Sequence, residues 1–347
     1  MTTSAEPRKP ASISVVIPTF NDVVRLGDAL ASIVGQTLLP TEILVADDGS
    51  DDGTERFVLD FGARHAGEVP VHYLQLSTHR GAWAARNEAI ARARGEWIAN
   101  CDSDDTWAPT KLARQMSFIR DWRGHGHIAL LGTYGYNMND AKRVLSHAVM
   151  GPTSERDYEA IRRAGGIFYV IHSSALFLRS DFEAVGGYTN EYGAADDYPF
   201  FCRMAERGVV LNMPEPLVYY RKRAGSVQIG QFWDLRREVQ RLAVNERRRA
   251  ACQTPIGREE FAAQLAAAPA WERFKRRKQL WGFYFYRAGA TNLANGRRIA
   301  GAAQLMLASL TDSRRLRAGL VNALRARLRG AAARGRGSLP QTTDPAS

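Results

Sequence analysis

The stretch Ala99-Asn100-Cys101-Asp102-Ser103-Asp104-Asp105-Thr106-Trp107 sets three carboxylates within four positions, directly after the apolar run Trp97-Ile98-Ala99. Upstream, Ile90-Ala91-Arg92-Ala93-Arg94-Gly95 reads as a helix end with a glycine stop. A short apolar run after such a stop reads as a buried strand, and its carboxylates emerge where the strand ends. In an extended chain Asp102 and Asp104 point to the same side, because side chains alternate with period two. Two hard oxygen ligands at the mouth of a sheet suit Mg²⁺ or Mn²⁺, above all when substrate phosphates complete the shell. The simpler alternative is an acidic turn in which Asp105 caps a helix begun by Pro109, and Asp-x-Asp alone does not separate the two.

Before this stretch, strands alternate with helices. Residues 12–17 (Ser-Ile-Ser-Val-Val-Ile) are β-branched and stop at Pro18, the pattern of a buried strand running into a loop. Asp22 is a candidate cap for a helix whose Leu26, Leu30 and Ile33 recur at helical spacing. Ile43-Leu44-Val45-Ala46 is a second strand, ending in Asp47-Asp48-Gly49-Ser50-Asp51-Asp52-Gly53-Thr54. A helix over 54–61, a strand over 71–76 and a helix over 81–94 lead back to Asp102. The alternation predicts a doubly wound α/β sheet with its ligand site beyond the carboxyl ends of the strands. Downstream, the pattern predicts a helix over 111–122, strands near 128–136, 175–178 and 217–220, and a helix over 199–207 after Asp196-Asp197. Residues 231–330 read as helical and Arg/Ala-rich. Within them Leu316, Leu320, Leu324 and Leu328 recur every four residues among arginines, a basic amphipathic helix. The expected organisation is a disordered segment 1–11, a catalytic domain 12–228, a basic helical region 229–330 and a disordered tail 331–347.

The 347 residues are 45% apolar and 24% charged, ordinary for a soluble globular protein. Three well-separated cysteines (Cys101, Cys202, Cys252) match neither a disulfide framework nor a zinc site, which points to a reducing compartment. No apolar run approaches the roughly 18–20 residues that span a bilayer, and residues 1–10 lack a signal-peptide core. A cytoplasmic location is expected. From Arg221 onward there are 26 Lys/Arg against 8 Asp/Glu, leaving 21 basic and 28 acidic residues before it. That asymmetry suggests an acidic body with a basic end that meets an anionic partner, a nucleic acid or a membrane surface. No recognised nucleic-acid motif is present. The Asp47-Asp48-Gly49-Ser50 loop lacks the Gly-x-Gly-x-x-Gly glycines, which disfavours a dinucleotide site, and no Walker-type glycine loop occurs.

The ordered blocks resemble family 2 glycosyltransferases. Ser14-Val15-Val16-Ile17-Pro18-Thr19-Phe20-Asn21 followed by residues 45–54 looks like their opening, Gly81-Ala82-Trp83-Ala84-Ala85-Arg86-Asn87 like the next block, and residues 102–109 like their metal motif. The resemblance covers about residues 12–226. It implies a GT-A fold (a Rossmann-like mixed sheet flanked by helices, here with a helical C-terminal extension), a nucleotide-sugar donor such as a UDP-sugar, a divalent metal and inversion at the anomeric carbon. Carried over, Pro18, Asp47, Asp48 and Gly81 line the nucleotide-sugar pocket, with Asp48 facing the base. Asp102 and Asp104 approach the ribose and a diphosphate bound to Mg²⁺ or Mn²⁺. Arg86 either pairs with a phosphate or ties its helix to an acidic loop. Asp196-Asp197 stands where the family has a catalytic carboxylate before a helix, which assigns the base to Asp197 and a supporting role to Asp196. Arg223 occupies a position that often carries His. A guanidinium cannot ligate a metal but can hold a phosphate bidentately. His172 reads as a core or loop histidine.

The resemblance implies transfer to a hydroxyl of a glycan or lipid-linked acceptor in polysaccharide or glycoconjugate synthesis, with peripheral contact at an anionic inner membrane face and no nucleic acid as partner. The bland reading of the basic C-terminal region is a helical cap on the catalytic domain. Two other readings stand beside the glycosyltransferase. A sugar nucleotidyltransferase would need a glycine-rich basic loop near the first strand, which is missing. A non-catalytic nucleic-acid-binding protein leaves the acidic blocks unexplained.

Overall fold

The computed structural model of the chain describes residues 11–222 and 231–311. Strand β1 (Ile13–Thr19) is buried along its whole length and runs parallel to β2 (Glu42–Asp47) on one side and β4 (Trp97–Asn100) on the other. β3 (Val71–Gln75) extends the parallel set beyond β2. The strand does not stop at Pro18 as its sequence suggests. Even-numbered residues of β1 face β4, where Ser12 O accepts from Trp97 N and Val16 O from Cys101 N, both at 3.0 Å. β4 ends at Asn100, opposite Val16, so the missing N–H of Pro18 faces a side where no strand remains to bond.

Helices α1 (Val23–Val34), α2 (Thr54–Arg64) and α3 (Ala82–Arg92) cover the two faces of this parallel half. α1 buries Leu26, Ala29, Leu30 and Ile33 on one stripe. Each of the larger three contributes about 1.5–3 kcal/mol of apolar burial. Asp22 does not cap α1 through its side chain: Val23 N donates to Asp52 Oδ2 at 2.9 Å, while Asp22 pairs with Arg25 at 2.6 Å and accepts from Ser103 Oγ at 3.2 Å.

The second half departs from a doubly wound sheet. It comprises β5 (Thr106–Trp107), α4 (Lys111–Asp121), β6 (Ile128–Met138), β7 (Val144–Ala148), α5 (Glu155–Arg163), β8 (Leu176–Leu178), α6 (Arg179–Ala184), α7 (Asp197–Arg207) and β9 (Val209–Arg221). The strands form one mixed sheet in the order β3-β2-β1-β4-β8-β6-β9-β5, with β7 beside β6. β8 is antiparallel to both β4 and β6, β6 and β9 are parallel, and β5 is antiparallel to β9. β9 begins eight residues before its expected start at 217. Pro214 and Pro216 mask it in the sequence, and the β6–β9 register shifts near them absorb the lost donors.

Period-two alternation divides the core. Val16, Leu44 and Ile98 face one side with α3 and α7, whereas Val15, Ile17, Ile43, Val45 and Ala99 face the other with α1, α2 and α4. Four further helices follow: α8 (Phe232–Ala250), α9 (Arg258–Ala267), α10 (Ala270–Ala294) and α11 (Arg298–Thr311). Leu235, Val239 and Leu242 of α8 join the first core. Arg241 is buried with them, 2.8 Å from Glu238 and with its guanidinium 3.9 Å from the centre of the Tyr192 ring. α10 and α11 form an antiparallel hairpin that closes on Gly301, where a Cβ would come within 2.8 Å of Leu293 N. Among the described residues no helix is long and apolar enough to cross a membrane. The leucine repeat 316–328, residues 1–10 and 331–347 of the terminal segments expected to be disordered, and Arg223 lie outside the described residues.

Candidate active site

The carboxyl ends of β1, β2 and β4 converge with the start of α7. β4 ends at Asn100 and the chain then turns, Asp105 N donating to Asp102 O at 3.1 Å. Asp102 and Asp104 are therefore brought together by a turn rather than by strand alternation. Asp105 does not cap the following helix, which starts at Lys111. It is fully buried, accepting from Ser173 Oγ and, at 2.8 Å, from Arg221 N. Burial and the neighbouring Asp104 and Asp102 charges push its carboxyl well above the usual carboxylate range. Arg221 clamps the same turn: Nε donates to Asp104 O at 2.7 Å and Nη1 to Asp140 O at 3.2 Å, while Nη2 lies 3.4 Å from Asp28.

Beneath the turn lies a buried polar floor. Arg86 of α3 donates to Asp102 Oδ1 at 2.8 Å, so it meets the acidic loop, and its Nε has no hydrogen-bond partner among the described residues. His172 Nδ1 faces the same oxygen at 3.5 Å, and its Nε2 lies 2.9 Å from Tyr188 Oη and 3.1 Å from Asn100 Nδ2. With Nε2 accepting from both, the ring proton sits on Nδ1, toward Asp102. Arg86 and His172 overcome the cost of burial and hold Asp102 well below the ordinary carboxylate range, while burial and the Arg86 charge keep His172 below its ordinary value.

Asp47 and Asp48 stand at the carboxyl end of β2. Asp47 is saturated by Ser50 N (2.9 Å), Ser50 Oγ (2.6 Å) and Tyr73 Oη (2.7 Å). Asp48 receives Arg80 N at 2.8 Å and Gly81 N at 2.6 Å, and His79 Nδ1 lies 2.9 Å from its Oδ2. Asp48 thus anchors the segment that leads into α3. Gly81 there has φ +97°, a conformation that a side chain would strain. Over this segment the exposed Phe20 ring packs on His79, centroids 4.3 Å apart. Pro18 is buried behind it in β1.

Opposite stands the Asp196-Asp197 pair, with Asp197 as the first residue of α7 and Pro199 within that first turn. The Asp197 carboxyl is pushed up to about 7, first by burial and then by the Asp196 charge, with Arg86 opposing and Asp102 adding to the rise. Asp196 is raised for the same leading reason. Asp102, Arg86, Asp196 and Asp197 thus act on one another's charge as one electrostatic unit, and Asp48 with Gly81 secures the segment leading into α3, the helix that carries Arg86. Among the described residues no group of three His, Cys, Asp or Glu side chains is arranged to close around a metal. His172 and Asp105, which the sequence reads as a core or loop histidine and a helix cap, adjoin this unit together with Ser173 and Arg221. Arg221 lies two residues before Arg223, the position to which the resemblance assigns a phosphate. His172 had no local signal, because its partners come from β4, α3 and the loop after α6.

Comparison with known proteins bears on the family and the fold. The profile of Glycosyl transferase family 2 matches residues 14–186. A UDP-Glc:alpha-D-GlcNAc-diphosphoundecaprenol beta-1,3-glucosyltransferase of Escherichia coli, WfgD, is 35% identical over 107 residues, 31% of this chain and 40% of that protein. The chain thus spans about two-fifths of the length of that curated relative. Among solved structures, Staphylococcus aureus TarS 1–349 in complex with UDP superposes with TM-score 0.52 at 18% identity, over 88% of this chain and 91% of that one. The mannosyltransferase PcManGT of Pyrobaculum calidifontis in complex with GDP-Man and Mn²⁺ gives TM-score 0.51 at 20% identity, over 90% of this chain and 84% of that one.

Proposed function

The chain belongs to glycosyltransferase family 2, and from that premise we propose that it transfers a sugar, with inversion, from a UDP-sugar to a hydroxyl of a lipid-linked diphosphate acceptor in polysaccharide synthesis at an anionic membrane face. The observation that carries this reading is one charged cluster at the ends of β4 and α3 and the start of α7: Asp102 paired with Arg86 at 2.8 Å, within reach of the charges of the raised Asp196-Asp197 pair. The acceptor argument rests on the diphosphoundecaprenol-linked substrate named for the E. coli relative.

The acceptor hydroxyl attacks the anomeric carbon from the side opposite the bond to phosphate. Asp197, ionised, takes the proton as the new C–O bond forms. The old C–O bond breaks and its electron pair leaves with the nucleoside diphosphate. Asp196 keeps the field around Asp197 negative and so raises its basicity. Arg86 holds Asp102 in place and supplies positive charge beside the carboxylates that meet the diphosphate. Asp48 shapes the nucleoside wall through the 79–81 segment, with Asp47 and Pro18 behind it. Two carboxylates of one turn fit Mg²⁺ or Mn²⁺, ions commonly held by one or two carboxylates plus substrate phosphates. Asp104 and Asp102 would hold it, and when bound it offsets charge on the departing diphosphate. Arg223 is assigned to a donor phosphate.

The test is a panel of UDP-, GDP- and dTDP-sugars with purified protein, Mn²⁺ or Mg²⁺, and EDTA as control. Metal-dependent release of UDP from one donor, accelerated by a lipid-diphosphate sugar, is expected. Failure of every donor to bind would overturn the reading, and formation of a nucleotide-sugar from NTP and sugar phosphate would replace it with a nucleotidyltransferase.

A further inference from the structure

The helical hairpin α10–α11 carries surface that the catalytic unit does not use. In the first third of α10, Trp271 is 63% and Phe274 69% exposed, one turn apart on one face. Lys275, Arg277 and Lys278 flank them at helical spacing, while Arg273, Arg276 and the single acid Glu272 lie toward the other side of the helix. Lys275 Nζ lies over the Trp271 ring, 5.8 Å from its centre. On α11, Ile299 is 90% exposed, and the likewise exposed Ala303, Met306 and Leu310 recur four, seven and eleven positions on, along one face. Gly301 and Ala308 point the other way, into the hairpin.

We propose that the Trp271/Phe274 face of α10 with Lys275, Arg277 and Lys278, together with the aliphatic stripe of α11, is a docking surface for an anionic lipid bilayer. It deepens the reading of a lipid-linked acceptor and rests on that reading for its purpose. Exposed indole and phenyl rings flanked by Lys and Arg suit the interface between headgroups and acyl chains, and the aliphatic stripe adds area that only hydrocarbon rewards. Charge argues against the other occupants. A second copy seated face to face would bring two strongly cationic segments together. Residues 312–330, with six arginines and one aspartate, would be repelled by the same segment. A nucleic acid would engage the cations and leave Ile299, Met306 and Leu310 in water.

The experiment is co-sedimentation of the full chain with vesicles of phosphatidylcholine alone or with about 30% phosphatidylglycerol, at low and high salt. Binding only to anionic vesicles, weakened by salt, is expected. Lys275→Glu/Lys278→Glu and Trp271→Ala/Phe274→Ala are each expected to lower partitioning by about tenfold or more, with circular dichroism and UDP-sugar hydrolysis in solution unchanged. Brominated lipid is expected to quench the fluorescence lost in Trp271→Phe. Equal binding to neutral vesicles, wild-type binding by both double variants, or variants that turn a dimer into a monomer while leaving vesicle binding intact would overturn the proposal. Vesicle binding is read without turnover, so its failure is separable from failure of the glycosyltransferase reading.

Discussion

Arg221→Met tests whether the carboxylate turn is held from behind. Methionine keeps the length and the apolar stem of the buried side chain, and the backbone N–H bond to Asp105 persists. Lost are the 2.7 Å bond to Asp104 O, the 3.2 Å bond to Asp140 O, and the longer contacts to Asn139 O at 3.5 Å and Asp28 at 3.4 Å. A hydrogen bond from a charged donor contributes about 1.5–3 kcal/mol, and loss of its partner strands a carbonyl. The full loss is set at about 3 kcal/mol, the low end for breaking a buried ion pair, because Asp28 retains some solvent. With an unfolding entropy of about 0.7 kcal/mol/K for a chain of this length, the melting temperature falls by about 4 °C. The released turn also loses its aim at the metal, so half-saturation by Mn²⁺ in donor hydrolysis rises about tenfold, as for other groups that orient metal ligands. Thermal unfolding by circular dichroism and Mn²⁺ titration at a temperature where both proteins are folded measure the two effects. A variant with unchanged melting temperature and Mn²⁺ dependence would refute the clamp.

Three further outcomes follow from the same geometry. Asp197 must be ionised to accept a proton and its carboxyl sits at about 7, so kcat/KM falls about tenfold per unit below that pH and levels off above it. The limb reports the Asp196-Asp197 pair, and Asp197→Asn removes it with a rate loss of about 10² or more while donor binding persists. Asp104→Ala abolishes metal-stimulated UDP release without unfolding the protein, read by Mn²⁺ titration beside a melting curve; full activity in the variant would remove this residue from the metal site. Lys111 is fully buried, its Nζ 3.8 Å from the centre of the Trp107 ring and 2.9 Å from Gln115 Oε1, and burial lowers it to about 7. Between that pH and the ordinary lysine range the unfolded chain binds the extra proton, so this group makes stability rise with pH there. Lys111→Met flattens that rise and holds or raises the melting temperature at pH 7; a marked fall would show that the ammonium is stabilising.

The local chemistry of this protein is written in its sequence. The β-branched run before Pro18, the helical spacing of Leu26, Leu30 and Ile33, and the acidic ends of the second and fourth strands specify the parallel half of the sheet and the edge where the site lies. These are neighbours along the chain, and periodicity of two or 3.6 residues is enough to read them. Asp102, Asp104, Asp196 and Asp197 stand out in the sequence because each lies beside the end of a strand or the start of a helix. Other features depend on contacts between distant segments. β8 inserts antiparallel between β4 and β6, and β9 runs through two prolines because β6 supplies a register that tolerates them. Asp105 reads as a helix cap until Ser173 and Arg221, 68 and 116 residues away, close over it. His172 is an unremarkable histidine until the fold sets it between Asp102, Asn100 and Tyr188. Charge and hydrogen-bonding capacity reside in each residue, whereas burial, which turns a carboxylate into a base or a strut, is a property of the packed chain.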